Sequence, residues 1–309
     1  MKVYDLVIIG AGPSGLSAAL YSARAGLKVA FIEKEFPGGK LNKTLSIENY
    51  PGYTEINGPK LGEYMLQQVL DLGVEQIMGN VIDIRKTSDI WETETSNGKK
   101  YQSKTVLITT GMKERVLDIP NVHEYYGKGV SYCAICDGNL YSTKPVVVVG
   151  GGNSAVEEAL YLADITQGVQ LVHRRREYRA DNIFVERMKK HVQIKENVPY
   201  IPIEITVKDK KVIGLTVQNT ETQEKKLIPG DCVFFYVGLI PENYFLKNLN
   251  LELDNAGFIK VNEKMETSER GVFAAGDIIH KDLRQVITAA SDGSIAAISI
   301  KNFLNNEQK

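Results

Sequence analysis

Tyr4-Asp5-Leu6-Val7-Ile8-Ile9 runs straight into Gly10-Ala11-Gly12-Pro13-Ser14-Gly15, and these twelve residues decide the fold. The short apolar run fits a buried strand, and the stretch that follows, Leu16 to Ala25, has helical patterning. A second apolar run, Lys28 to Ile32, then ends at Glu33, 18 residues after Gly15. In such a strand, turn, helix, strand unit each glycine has its own task. Gly10 permits the tight turn, Gly12 lets the backbone approach a pyrophosphate, and Gly15 lets the helix lie close to the strand. The helix N-terminus offers unpaired N–H groups to the anion, and Glu33 is placed to accept hydrogen bonds from ribose hydroxyls. Glycines after a strand can serve only a turn, so the reading rests on strand, helix and acid all standing at the expected spacing.

The pattern recurs. Pro145-Val146-Val147-Val148-Val149 leads into Gly150-Gly151-Gly152-Asn153-Ser154-Ala155, a helical Val156 to Ala163 and a strand-like Val169 to Val172. Gly150, Gly152, Asn153, Ser154 and Ala155 become candidate nucleotide contacts. This time the second strand ends in His173-Arg174-Arg175-Arg176, with Arg179 close behind. A carboxylate there would repel a 2′-phosphate, whereas guanidinium groups bind one through paired, charge-assisted hydrogen bonds. The acid-ended site therefore suits FAD and the basic-ended site NADPH. The plain alternative for the arginines is a solvated basic turn; a nuclear-targeting role is weaker still, because the cluster is short and sits inside a fold.

A third segment, Gly271-Val272-Phe273-Ala274-Ala275-Gly276-Asp277, reads as a short buried strand ending at an acid, followed by a small-residue helix from about Val286 to Leu304. Gly276 and Asp277 are candidate contacts to the flavin ribityl chain. Arg284 and Gln285 stand where the helix N-terminus can stabilise negative charge on a reduced isoalloxazine. The elements assigned to FAD thus lie at both ends of the chain, with the NADPH pattern between them. The expected fold class is α/β, with two Rossmann-like dinucleotide-binding domains and the NADPH domain inserted into the FAD domain. The expected division is 1–113, 114–245 and 246–309. Glu114 to Pro120 and Gly238 to Asn243 carry the Gly, Pro and charges of linkers.

Composition narrows the class of function. The 309 residues suit two domains, and Lys plus Arg number 37 against 38 Asp plus Glu, so no overall field gathers nucleic acid or an anionic membrane. Glycines and a proline interrupt the apolar stretch from Leu6 to Leu20, against a signal peptide, and no uninterrupted apolar run reaches the ~18 residues of a membrane span. Three cysteines are too few and too odd for a disulfide framework, which points to a reducing compartment and a cytoplasmic protein.

Two of those cysteines are Cys133-Ala134-Ile135-Cys136, followed directly by Asp137. Disulfide exchange needs a thiolate to attack and a proton for the thiol that leaves, and this set supplies both. Half of a zinc site is the competing reading, but only Cys232 and four scattered histidines remain as ligands, so no metal is expected. Cys232, within Cys232-Val233-Phe234-Phe235, reads as a small core residue. His123 and His173 are given no catalytic part.

Taken together and in order, the motifs resemble the low-molecular-weight thioredoxin reductases over essentially the whole chain. The resemblance rests on Gly10 to Gly15, Gly38-Gly39, Glu48-Asn49-Tyr50-Pro51-Gly52, Cys133 to Gly138, Gly150 to Ala155, His173-Arg174-Arg175 with Arg179, and Gly276-Asp277 with Arg284-Gln285. It implies a homodimer with one FAD per subunit and a redox-active disulfide on an NADPH domain that rotates on its linkers. Its partner would be thioredoxin or a thioredoxin-like protein. By position Cys136 resembles the cysteine beside the flavin, Cys133 the one that attacks thioredoxin, and Asp137 the acid-base residue. Asn49, Gly111, Asp277 and Gln285 match FAD-contacting positions; Ser154, Arg174, Arg175 and Arg179 match NADPH-contacting ones. Two positions depart from the pattern: Lys40 stands where Gln is common, and Thr110 where Ala is common before Gly111. A ferredoxin or flavodoxin reductase does not need the cysteine pair, and a flavin dithiol oxidase does not need the arginines; a non-catalytic flavoprotein sensor is the alternative outside this enzyme class.

Overall fold

The computed structural model describes residues 2–44 and 46–307. The chain forms two compact units, one holding the residues up to Lys113 and from Ile240 onward, the other Glu114–Leu239.

The first unit begins with β1 (Val3–Ile9), α1 (Pro13–Arg24) and β2 (Val29–Glu33). Gly12 caps α1, and Pro13 occupies its first turn, where a missing N–H costs nothing. After α2 (Gly58–Leu70) come β3 (Glu75–Met78), β4 (Val81–Thr87), β5 (Ile90–Thr95) and β6 (Lys100–Ile108). The sheet order is β3-β2-β1-β6-β5-β4. β1 pairs parallel with β2 and β6, and its inner residues are buried, as expected of a parallel strand covered on both faces. Beyond β6 the chain order reverses, with β5 antiparallel to β6 and β4 antiparallel to β5.

The chain leaves through β7 (Met112–Glu114) and builds the second unit from β8 (Val130–Ser131), α3 (Ala134–Asp137), β9 (Pro145–Gly150), α4 (Asn153–Ile165), β10 (Gly168–Val172), α5 (Asn182–Lys190) and β11 (Ile194–Asn197). An antiparallel trio follows, β12 (Tyr200–Lys208), β13 (Lys211–Asn219) and β14 (Lys225–Pro229), and then β15 (Cys232–Tyr236). The parallel sheet has the order β11-β10-β9-β15-β8. The redox helix α3 thus follows directly from the edge strand β8, and the glycine turn follows from the central β9.

The return runs through β16 (Leu239–Pro241) to β17 (Val272–Ala274) and the long helix α6 (Val286–Glu307). Residues 240–245, read from sequence as part of the inserted segment, belong with the first unit. The physical reason is local: Glu242 pairs with Lys34 at 2.6 Å, the Tyr244 hydroxyl donates to Asn80 at 2.6 Å, and Phe245 lies in the core of that unit. β17 pairs parallel with the C-terminal half of β6, which closes the sheet and delivers Asp277 to the same end as Glu33.

Helices α1 and α6 approach closely because both present small residues. A Cβ on Gly293 would lie 2.1 Å from the Ser14 carbonyl oxygen, and one on Gly15 would lie 2.0 Å from that of Gly10. Gly293→Ala is therefore expected to destabilise the first unit by about 1–3 kcal/mol, as overpacked sites do, lowering its Tm by about 3–10 °C in calorimetry. An unchanged Tm would contradict this contact.

Candidate active site

In the first unit the candidate dinucleotide residues converge on the carboxyl ends of β1, β2, β6 and β17. Gly10 sits at φ +97°, in the left-handed region that favours glycine, with the Thr109 carbonyl oxygen 2.6 Å from where a Cβ would be. A Cβ on Gly12, by contrast, would meet nothing nearer than 4.0 Å, so its face is open to an anion at the α1 N-terminus. Glu33 is buried, and its two oxygens take the N–H groups of Ala11 at 2.7 Å and Glu35 at 2.9 Å. Burial pushes its carboxyl above the ordinary range while those amides pull it down. The Lys34 amide adds to these, and Glu33 lines a pocket with Gly10, Lys34, Asn80, Thr110 and Glu242. Thr110 earns its place there: its hydroxyl donates to the Glu242 carbonyl at 2.8 Å, while the Gly111 carbonyl accepts the Glu242 N–H at 3.1 Å.

Around Asp277 some polar atoms lack a hydrogen bond, although Lys281 Nζ lies 3.8 Å from Asp277 Oδ1. Ser14 Oγ, Asp277 Oδ1 and Arg284 Nε are buried with no hydrogen-bond partner among the described residues. Buried polar atoms are seldom left so, and three together at one glycine turn fit a polar ligand such as the flavin ribityl and pyrophosphate. Gly276, at φ +82°, packs on Ser14, and its N–H donates to Asp292. Burial raises the Asp277 carboxyl, opposed by the charges of Lys281, Arg284 and Lys40. Lys40 therefore lies close enough for its charge to act on Asp277. Asn49 and Gln285, far apart in sequence, meet through an amide hydrogen bond of 3.2 Å.

The second unit repeats the cradle. Gly150 has the Tyr236 carbonyl oxygen 2.5 Å and the Ala155 Cβ 2.6 Å from where a Cβ would be, and a Cβ on Gly152 would meet nothing within 4 Å. The arginine segment is bolted to this turn: the Arg179 N–H donates to the Gly151 carbonyl at 2.7 Å, and the Asn153 side chain both accepts from the Asp181 N–H at 2.8 Å and donates to its carboxylate at 3.0 Å. Ser154 is exposed in the first turn of α4. Arg176 is committed to Glu221 by two bonds, of 3.1 and 2.6 Å. Arg174, Arg175 and Arg179 are exposed and have no carboxylate partner among the described residues, which leaves three guanidiniums for a phosphate. His173 is buried beneath the turn, stacked on Tyr178 at 5.3 Å, and a Cβ on Gly151 would strike its ring. Burial, then the neighbouring arginines, hold it below the ordinary histidine range against the Glu177 carbonyl, so its part is packing.

Cys133 and Cys136 are joined in a disulfide with their Cα atoms 5.4 Å apart. Cys133 caps α3 and is half-buried, while Cys136 is exposed; the Cys136 N–H points at Cys133 Sγ at 3.2 Å. Several contacts around this segment are not revealed by the sequence alone. The Ser131 hydroxyl reaches Asp137 Oδ2 at 2.6 Å, the Tyr236 hydroxyl accepts the Ala134 N–H at 2.9 Å, and Tyr141 lies beside Cys232. Cys232 is fully buried, and burial pushes its thiol up to about 12, as suits a core residue. Among the described residues no three His, Cys, Asp or Glu side chains are grouped to hold a metal ion, and no helix is long and apolar enough to cross a membrane.

Two dinucleotide cradles and a redox-active cysteine pair on one chain define a nucleotide-linked disulfide oxidoreductase. The family model for pyridine nucleotide-disulphide oxidoreductases matches residues 4–293. The thioredoxin reductase of Mycoplasma pneumoniae is 43% identical over 308 residues, 98% of this chain and 96% of its own, and that of Bacillus subtilis is 38% identical over 100% and 97%. Among solved structures, Lactococcus lactis thioredoxin reductase is 41% identical with a TM-score of 0.94, covering 98% of this chain and 99% of its own. The T. acidophilum enzyme is 36% identical with a TM-score of 0.91 over the same shares. The chain belongs to the pyridine nucleotide-disulphide oxidoreductase family.

Glu158, on α4, gives this unit a pH signature. Burial, with Glu157 adding to it, raises Glu158 from 4.5 to about 7. Between those values the folded chain keeps a proton that the unfolded chain has lost, so stability falls as pH rises through that window and then levels. Glu158→Gln is expected to stabilise the unit more at pH 8 than at pH 4, by on the order of 3 kcal/mol, in urea unfolding. An equal effect at both pH values would contradict the shift.

Proposed function

We propose that this chain is an NADPH-dependent flavoprotein disulfide reductase, passing electrons from NADPH through FAD and the Cys133–Cys136 pair to the disulfide of thioredoxin or a thioredoxin-like protein. The observation that carries the reading is the cysteine pair, closed as a disulfide with Asp137 beside it, on the same unit as a glycine turn followed by three exposed arginines with no carboxylate partner among the described residues. The working form is a cytoplasmic homodimer, in keeping with the family resemblance and the sparse cysteines.

When bound, FAD supplies the two-electron chemistry that no side chain can provide. In the first unit Gly10, Gly12 and Gly15 form its pyrophosphate turn, Glu33 holds its ribose, and Asn49, Gly111, Gly276, Asp277, Arg284 and Gln285 hold its flavin end. In the second unit Gly150, Gly152, Asn153, Ser154 and Ala155 cradle the NADPH pyrophosphate, and Arg174, Arg175 and Arg179 bind the 2′-phosphate. In the reduced pair the Cys133 thiolate attacks one sulfur of the partner disulfide. The partner thiolate that leaves takes a proton from Asp137. Cys136 then gives its proton to the Asp137 carboxylate and attacks Cys133 Sγ, which closes the enzyme disulfide. The second partner thiolate leaves with that proton, so the partner gains two electrons and two protons.

Cys133→Ser or Cys136→Ser is expected to leave flavin reduction by NADPH within a few-fold of the parent, and to lower thioredoxin turnover by at least about 10³-fold, in stopped-flow and steady-state assays. Retained turnover in either variant would overturn the pair's assignment. Arg174→Ala with Arg175→Ala is expected to raise the KM for NADPH by about tenfold or more and to leave that for NADH nearly unchanged. Equal changes for both nucleotides would remove the 2′-phosphate role.

A further inference from the structure

Ser131 lies at the end of β8, two residues before the attacking cysteine, and only 2% of it is exposed. Its Oγ accepts the Cys133 N–H at 3.0 Å, donates to Asp137 Oδ2 at 2.6 Å and stands 3.3 Å from the Cys133 carbonyl oxygen. A hydroxyl has one proton and two lone pairs. With Asp137 ionised, that proton lies on the short line to Oδ2. With Asp137 protonated at Oδ2, the acid donates to the second lone pair of Oγ, and the serine proton turns to the Cys133 carbonyl. Both arrangements satisfy the hydroxyl and Oδ2 without moving a heavy atom.

We propose that Ser131 is a positioning residue for disulfide exchange, holding Asp137 in one place in both of its protonation states and tying it to the backbone of the attacking cysteine. This rests on the reading of Asp137 as the acid-base residue. Proton and electron accounting then fits the two states. As Cys133 forms its bond to the partner sulfur and the partner S–S bond breaks, the Oδ2 proton goes to the leaving thiolate, and the serine proton swings from the carbonyl to Oδ2. As Cys136 loses its proton to Oδ2, the serine proton swings back. When the second partner thiolate takes that proton, the pair is again a disulfide, as in this structure, and the 2.6 Å contact between Ser131 Oγ and Asp137 Oδ2 has been kept throughout.

Burial raises Cys232, to about 12, and Tyr141, and the charge of Asp137 adds to both, so both keep their protons near neutral pH. The Ala134 N–H, at the start of α3, is taken by Tyr236.

The test uses holoenzyme with FAD, thioredoxin turnover, and anaerobic stopped-flow reduction of the flavin by NADPH. Ser131→Ala is expected to lower kcat for thioredoxin about tenfold, while the KM for NADPH and the flavin reduction rate stay within twofold of the parent. Asp137→Asn alone is expected to cost about 100-fold, and Ser131→Ala to add less than twofold on that background, since the serine acts through the acid. Parental turnover in Ser131→Ala, a loss that multiplies the Asp137→Asn loss, or an equal loss of flavin reduction would each overturn the proposal. Parental turnover in Asp137→Asn would remove the acid itself, and the proposal with it; a loss there with none in Ser131→Ala would remove only the positioning role.

Discussion

At each strand-to-helix turn the backbone comes so close to itself that no Cβ fits, and the rest of the molecule depends on that approach. Gly15 rides on the Gly10 carbonyl, and Gly150 is hemmed in by Ala155 and the Tyr236 carbonyl. The close approach aims the helix N-terminus at the end of the strand, while the open faces of Gly12 and Gly152 leave room for an anion. In the first unit the same tolerance extends to Gly276 and Gly293, which let α6 lie on α1 and bring Asp277 beside the turn. The second unit uses it differently, since Tyr236, whose carbonyl crowds that turn, also accepts the Ala134 N–H of the cysteine helix on its side-chain hydroxyl.

Charge then distinguishes the two cradles. Glu33 turns an acid toward the first, held there by the amides of Ala11 and Glu35. The second carries four arginines on one short segment, but Glu221 neutralises Arg176, and hydrogen bonds from Arg179 and Asp181 fix the segment to the turn. What remains is a fixed set of three exposed guanidiniums, a better match for one phosphate than for a diffuse acidic surface.

Much of this was legible in sequence because it is contiguous. Gly10 to Gly15, Gly150 to Ala155, Cys133 to Asp137 and Arg174 to Arg179 each lie within one turn or helix start, so local spacing reports the chemistry. The buried character of Cys232 and the strand at Val272 followed from apolar patterning alone. Long-range pairs were not legible. Asn49 and Gln285 are 236 residues apart, Lys34 and Glu242 208, and nothing in their local sequence announces either meeting. Those distant pairings also carry residues 240–245 into the first unit, against a boundary drawn from Gly, Pro and charges. Ser131 is not legible in sequence for another reason: a serine before a cysteine has no pattern, and only the fold of α3 back toward β8 brings Asp137 to it.

The central claim is that electrons from a nicotinamide arrive on one cysteine pair. An anaerobic titration of the FAD-loaded protein with NADPH, quenched with a thiol alkylating reagent and read by peptide mass spectrometry, tests it most directly. The expected result is two alkylated thiols per chain, on Cys133 and Cys136, appearing in step with NADPH consumed, with Cys232 unmodified while the fold is intact. Flavin bleaching with both cysteines still in their disulfide would contradict it.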